Sequence, residues 1–184
     1  MRTEIKYGGF GGQGIISAGN ITGQAASIFS DKNAVLIQSY GPEARGGACS
    51  AEVVIETSKI DYPQITTPHI LILMSQEAYE KYGEDIQEGG VMLLEKDLIE
   101  NPQVPPGVKG YKIPATKIAE DLGNRIVANV VMLGALVTVT DAVSKKSMKE
   151  AILSAVPDGT EDLNSKAYEK GLEYGQKLTE QEGK

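Results

Sequence analysis

The sequence predicts an α/β fold: a mostly parallel or mixed sheet with helices on both faces, a Rossmann-like N-terminal βαβ unit and a helical C-terminal third. Three observations predict it. Strand-like and helix-like segments alternate through the first two thirds of the chain. Continuous apolar runs such as 70–74 suit strands covered on both faces. The last third carries only helical patterns.

Residues 4–7 alternate polar and apolar and run into Gly8-Gly9-Phe10-Gly11-Gly12-Gln13-Gly14. Residues 15–29, rich in Ala, Ile and small residues, read as a buried helix, and 34–40 as a second strand. Strand, glycine loop, helix and strand make a βαβ unit with a right-handed crossover. After the loop 41–47, the alternating run 51–56 reads as a strand, with 59–62 as a short hairpin partner. Residues 76–82 suit a helix ending near Gly83, and 91–94 suit another buried strand. Pro102, Pro105, Pro106 and Gly107 mark an irregular connection, and Pro114 closes a last strand that begins at Tyr111. Helices are expected over 116–122, 126–138, 145–156 and 162–178, with Thr116 and Ser144 as caps. With 184 residues and no linker, the chain reads as a single domain, 1–184, fraying over 179–184.

Composition excludes several functions. Hydrophobic residues at 41% and charged residues at 23% fit an ordinary globular protein. The net charge of −7 argues against nucleic acid and against anionic lipid. The charged N-terminus lacks the apolar core of a signal peptide, and 126–140 is too short to span a bilayer, so a cytoplasmic location is expected. Cys49 is the only cysteine and His69 the only histidine. An iron–sulfur cluster takes about four thiolates, so this chain alone builds none. No metal site and no catalytic residue is expected in it. Cys49 reads as a structural thiol and His69 as a strand-start residue.

Two loops stand out. Gly9, Gly11 and Gly14 fit G-x-G-x-x-G between a strand and a helix, where the backbone can approach a phosphate. A dinucleotide site also needs an acidic residue at the tip of the second strand, and Gln38 and Ser39 stand there instead. Close packing or an interface is therefore the preferred reading of the glycines. The second loop is Gln38-Ser39-Tyr40-Gly41-Pro42-Glu43-Ala44-Arg45-Gly46-Gly47. Its Arg45 suits a bidentate carboxylate or phosphate contact, unless Glu43 pairs with it inside the loop. Together Gly11, Gly12, Gln13, Gly14, Tyr40, Gly41, Glu43, Arg45, Gly46 and Gly47 form the expected ligand or subunit-interface edge. A third feature is the helix 126–137, apolar all round except for Asn129 and Gly134, which belongs in a core or an interface. A buried Asn129 must find partners.

These motifs resemble the gamma subunit of 2-oxoacid:ferredoxin oxidoreductases. The likeness rests on the two glycine motifs in this order and extends through Asp61-Tyr62-Pro63, Ser75-Gln76-Glu77-Ala78-Tyr79, Gly123-Asn124 and Leu133-Gly134-Ala135. The second motif is similar to the 2-oxoglutarate branch; pyruvate-type relatives carry a Phe-rich form with an Arg-Arg pair, absent here. The resemblance implies a complex that converts 2-oxoglutarate and coenzyme A to succinyl-CoA and carbon dioxide, with ferredoxin taking the electrons. It implies that thiamine diphosphate, magnesium and iron–sulfur clusters sit in alpha, beta and ferredoxin-like delta subunits. This chain would then be inactive alone and would bind no cofactor by itself, while its glycine edge faces the alpha subunit and helps form the coenzyme A channel. A stand-alone Rossmann-type module for a nucleotide or coenzyme A is the alternative.

Overall fold

A computed structural model describes residues 1–39 and 48–182, the last without its side chain. Six strands and six helices follow in the order β1 (Arg2–Phe10), α1 (Ile15–Ser27), β2 (Asn33–Ser39), β3 (Ala48–Glu56), β4 (Ile70–Leu73), α2 (Gln76–Tyr82), β5 (Val91–Glu95), β6 (Lys109–Ile113), α3 (Ala115–Asp121), α4 (Ala128–Val139), α5 (Lys145–Ala155) and α6 (Glu161–Glu182). A 3-10 turn, Arg125–Val127, leads directly into α4.

The strands form one mixed sheet in the order β2-β3-β1-β4-β5-β6. β1, β4, β5 and β6 run parallel, whereas β3 lies antiparallel between β1 and β2. The expected βαβ unit is therefore present with a strand inserted in it. β1 and β2 point the same way, but the crossover through α1 skips the place that β3 fills. Alternation in 51–56 marks a strand and says nothing of its direction or its neighbours, and here both neighbours are antiparallel. The hairpin partner expected at 59–62 is irregular chain; β3 already pairs on both sides.

Both faces carry helices, unequally. Odd-numbered β1 residues Ile5 and Tyr7 join Ala51, Val53 and Ile55 of β3 against α1, in the core that also takes α3, α4, α5 and α6. The Tyr7 hydroxyl meets Thr22 Oγ1 at 2.6 Å, tying β1 to α1, and burial raises its pKa. On the other face α2 closes a smaller core with Leu71, Leu73, Met92 and Leu94. Beyond α2, the β1–β3 stretch of that face carries ion pairs, Lys6 with Glu52 at 3.2 Å and Arg2 with Glu4 and Glu56 at 2.6 Å.

α4 explains its own composition. Every residue from Ala128 to Val137 is buried, and the helix touches α1, α3, α5 and α6. An apolar surface on all sides is what such a position demands. Ser144 caps α5 as expected, its Oγ accepting the Ser147 N–H at 3.0 Å. Thr116 caps nothing: it lies inside α3, and its N–H and hydroxyl donate to buried Glu95 at 3.0 and 3.1 Å. The tail expected to fray from 179 is helical through Glu182. Among the described residues no helix is long and apolar enough to cross a membrane.

Candidate functional site: the glycine edge

The turn between β1 and α1 sits at the carboxyl ends of the parallel strands, the edge where such sheets present ligand sites. Gln13 holds it from one side. Its Oε1 accepts the Phe10 N–H at 2.7 Å and its Nε2 donates to the Met74 carbonyl at 2.8 Å, which fastens the loop to the end of β4. The turn closes with the Gln13 N–H donating to the Phe10 carbonyl at 3.2 Å.

The glycines of the motif divide by task. A side chain on Gly9 would strike Gln13 Oε1 and Ile15 Cδ1, both 2.6 Å from its Cβ, so Gly9 serves packing. Gly14 has φ +72, in the left-handed region, and a Cβ there would run into Asn129. Among the described residues nothing lies within 4 Å of a Cβ added at Gly11 or Gly12, and only Gly12, with φ +98, has a backbone that calls for glycine. Packing against the described residues does not require glycine at Gly11. Open backbone at that point is what lets a ligand come close.

Three adjoining depressions surround this turn and share Ile126, which is 67% exposed. The first, about 390 Å³, is lined by Phe10, Gly11, Gly12, Ile15, Cys49 and Asn129 among others. The second, about 230 Å³, runs past Gln13 and Thr116 to exposed Arg125. The third, about 310 Å³, continues over Ile21, Asn124 and Val130 to Pro157 and Leu163. The first-turn N–H groups of α1 have no partner within the helix, and no acidic residue lies in that turn. Backbone donors, a positive helix end and the Arg125 guanidinium together favour a phosphate-bearing ligand with an apolar portion.

Burial pushes the Cys49 thiol up from its ordinary pKa, which disfavours the nucleophilic thiolate. Burial likewise raises the Glu95 carboxyl, whose oxygens are occupied by Thr116 and the Asp97 N–H. His69 stands just before β4, its Nδ1 accepting the Glu4 N–H at 3.0 Å on the opposite edge of the sheet. Among the described residues no cluster of His, Cys, Asp and Glu is placed to hold a metal ion.

Of the ten expected edge residues, Gly11, Gly12, Gln13 and Gly14 meet at this turn. Tyr40, Gly41, Glu43, Arg45, Gly46 and Gly47 lie outside the described residues, and with them the question of a Glu43–Arg45 pair. The two ends of that segment do reach the same edge: Ser39 closes β2, and Ala48 pairs with Phe10. The insertion of β3 also bears on the dinucleotide reading. It sets the tip of β2 roughly 10 Å from β1, two strand spacings instead of one, away from where a ribose-binding residue works.

The sequence profile described as pyruvate ferredoxin/flavodoxin oxidoreductase matches residues 4–174. The chain belongs to this family. Within it, the chain is 54% identical over 180 residues to 2-oxoglutarate synthase subunit KorC of Methanocaldococcus jannaschii, covering 97% of this chain and 96% of that one. It is 45% identical to the subunit of the same name from Methanothermobacter marburgensis, covering 94% and 96%. In structure it is similar to the keto/oxoacid ferredoxin oxidoreductase gamma subunit of Geobacter sulfurreducens, with a TM-score of 0.86 and 43% identity over 96% of this chain and 97% of that one. All three match this chain over nearly their whole length, and the Geobacter sulfurreducens subunit shares its fold.

Sequence reasoning named Asn129 as a buried amide in need of partners without finding the partner. It gave no site role to Asn124, Arg125 or Ile126, which reach the edge through the 3-10 turn. The Asn124 side chain holds that turn by accepting the Ile126 N–H at 3.1 Å. The available signal was an exposed polar pair, Asn124-Arg125, directly before a wholly apolar helix.

Proposed function

We propose that this chain is the gamma subunit of a 2-oxoglutarate:ferredoxin oxidoreductase, and that its glycine edge contacts coenzyme A where it meets the alpha subunit. The near full-length identity to 2-oxoglutarate synthase subunits supports the first part. The observation that carries the second is the open backbone at Gly11 and Gly12, beside first-turn N–H groups that have no partner within α1, and Arg125. Coenzyme A offers phosphates for the donors and an apolar-to-amide arm for the groove past Ile126 and Val130.

The reaction of the assembly is oxidative decarboxylation of 2-oxoglutarate to succinyl-CoA and carbon dioxide, with two electrons passing to ferredoxin. Thiamine diphosphate supplies the carbanion chemistry in such an assembly, with magnesium and iron–sulfur clusters. One buried thiol and one imidazole, hydrogen-bonded at the opposite edge of the sheet, do not fit a cluster, so these groups belong to alpha, beta and ferredoxin-like delta subunits. The chain works in the cytoplasm as one unit spanning 1–184. What it contributes is shape and hydrogen-bond donors.

The test is purification of the tagged chain from its native cells. The eluate should contain companion chains, thiamine and iron, and should reduce ferredoxin only when 2-oxoglutarate and coenzyme A are both present. The chain expressed alone should show no turnover. An eluate of this chain without companions, or turnover by the isolated chain, overturns the reading.

A further inference from the structure

Asn129 is the one polar side chain on the buried stretch of α4 from Ala128 to Val137, and its amide faces two opposite demands. Its Oδ1 accepts the Val130 N–H at 2.9 Å, satisfying a first-turn donor of α4. Its Nδ2 donates at 3.2 Å to the Gly14 carbonyl, which also accepts the Ala18 N–H at 2.8 Å. A flipped amide would set donor against donor and acceptor against acceptor, so the orientation is fixed.

That contact joins a helix buried along ten residues to an exposed turn. α4 is locked against α6, where Gly134 and Gly171 pack backbone on backbone. Gly14, in its left-handed conformation, ends the glycine turn and begins α1. Gln13 anchors the turn to β1 and β4, and Asn129 anchors it to the helical layer. With both anchors made, the open backbone of Gly11 and Gly12 is held in one place.

We propose that Asn129 is a positioning residue for coenzyme A, holding the Gly14 carbonyl so that the Gly11–Gly14 turn is preorganised to receive the ligand. This rests on the reading of the glycine edge as a coenzyme A contact. Asn129 acts through the turn: its own hydrogen bonds go to Gly14 and Val130.

The experiment uses the assembled complex, with KM for coenzyme A, KM for 2-oxoglutarate and kcat measured for each variant. Asn129→Leu removes both hydrogen bonds at similar volume and without adding charge. It should raise KM for coenzyme A about tenfold, well beyond any change in kcat or in KM for 2-oxoglutarate. Asn129→Ser, smaller but still a donor, should give a lesser rise. Gly11→Val, which blocks the open backbone directly, is the comparison. If Gly11→Val raises KM for coenzyme A and neither Asn129 variant does, the positioning role is wrong while the edge reading stands. If Gly11→Val also has no effect, the edge reading fails and takes the proposal with it. If neither Asn129 variant enters the complex, Asn129 is a structural residue and the proposal is overturned.

Discussion

At the crossing of α4 and α6, glycine is present because nothing larger fits; at the β1–α1 turn, a Cβ on Gly11 or Gly12 would touch none of the described residues. A Cβ on Gly134 would enter the backbone of Tyr168, Gly171 and Leu172, and one on Gly171 would strike the Val131 carbonyl. Gly175 is in the same position against Thr138 Cβ, 2.8 Å away. These residues let two helices approach along their backbones, and Tyr168 secures the neighbouring turn by donating its hydroxyl to the Lys145 carbonyl at 2.7 Å. Gly11 has no positive φ, and none of the described residues crowds it. The fold accounts for the first group and, through its positive φ, for Gly12; among the described residues nothing requires glycine at Gly11. Gly11 is therefore the residue on which the proposed ligand contact at this edge rests.

The contrast predicts opposite responses to the same substitution. Gly171→Ala should have the largest effect, about 3 kcal/mol or more of lost stability, because backbone on both helices must move. It should appear as a large fall in Tm and loss of assembly; an unchanged Tm would mean that the helices separate easily and that the crossing is not tightly packed. Gly11→Ala should change stability by no more than about 0.5 kcal/mol, since the new methyl meets open space. A fall in Tm as large as that of Gly171→Ala would erase the distinction between the two regions.

Most of this was legible in the sequence, and the reasons differ by element. Helices α2 and α5 follow from apolar spacing with local stop and cap signals, Gly83 and Ser144. α4 announces its burial because a helix apolar on every side has no other stable place. The antiparallel β3 between β1 and β2 was not legible, since pairing partners are set by contacts far apart in sequence while the alternating pattern is purely local. Thr116 looks like a cap because it stands just after Pro114, at the head of a helical pattern. Its hydroxyl was instead claimed by Glu95, a buried carboxylate 21 residues earlier. At the site, the glycine motif was visible as a motif, but which glycines face packing and which face open space depends on Ile15, Gln13 and Asn129 in three dimensions.

The central claim is that the glycine edge, and not the helical layer, is where this subunit meets coenzyme A. Hydrogen exchange followed by mass spectrometry on the assembled complex tests it most directly. Adding coenzyme A should slow amide exchange in peptides covering 10–18 and leave those covering 131–138 and 166–175 unchanged. Unchanged exchange over 10–18 at saturating coenzyme A would contradict the account.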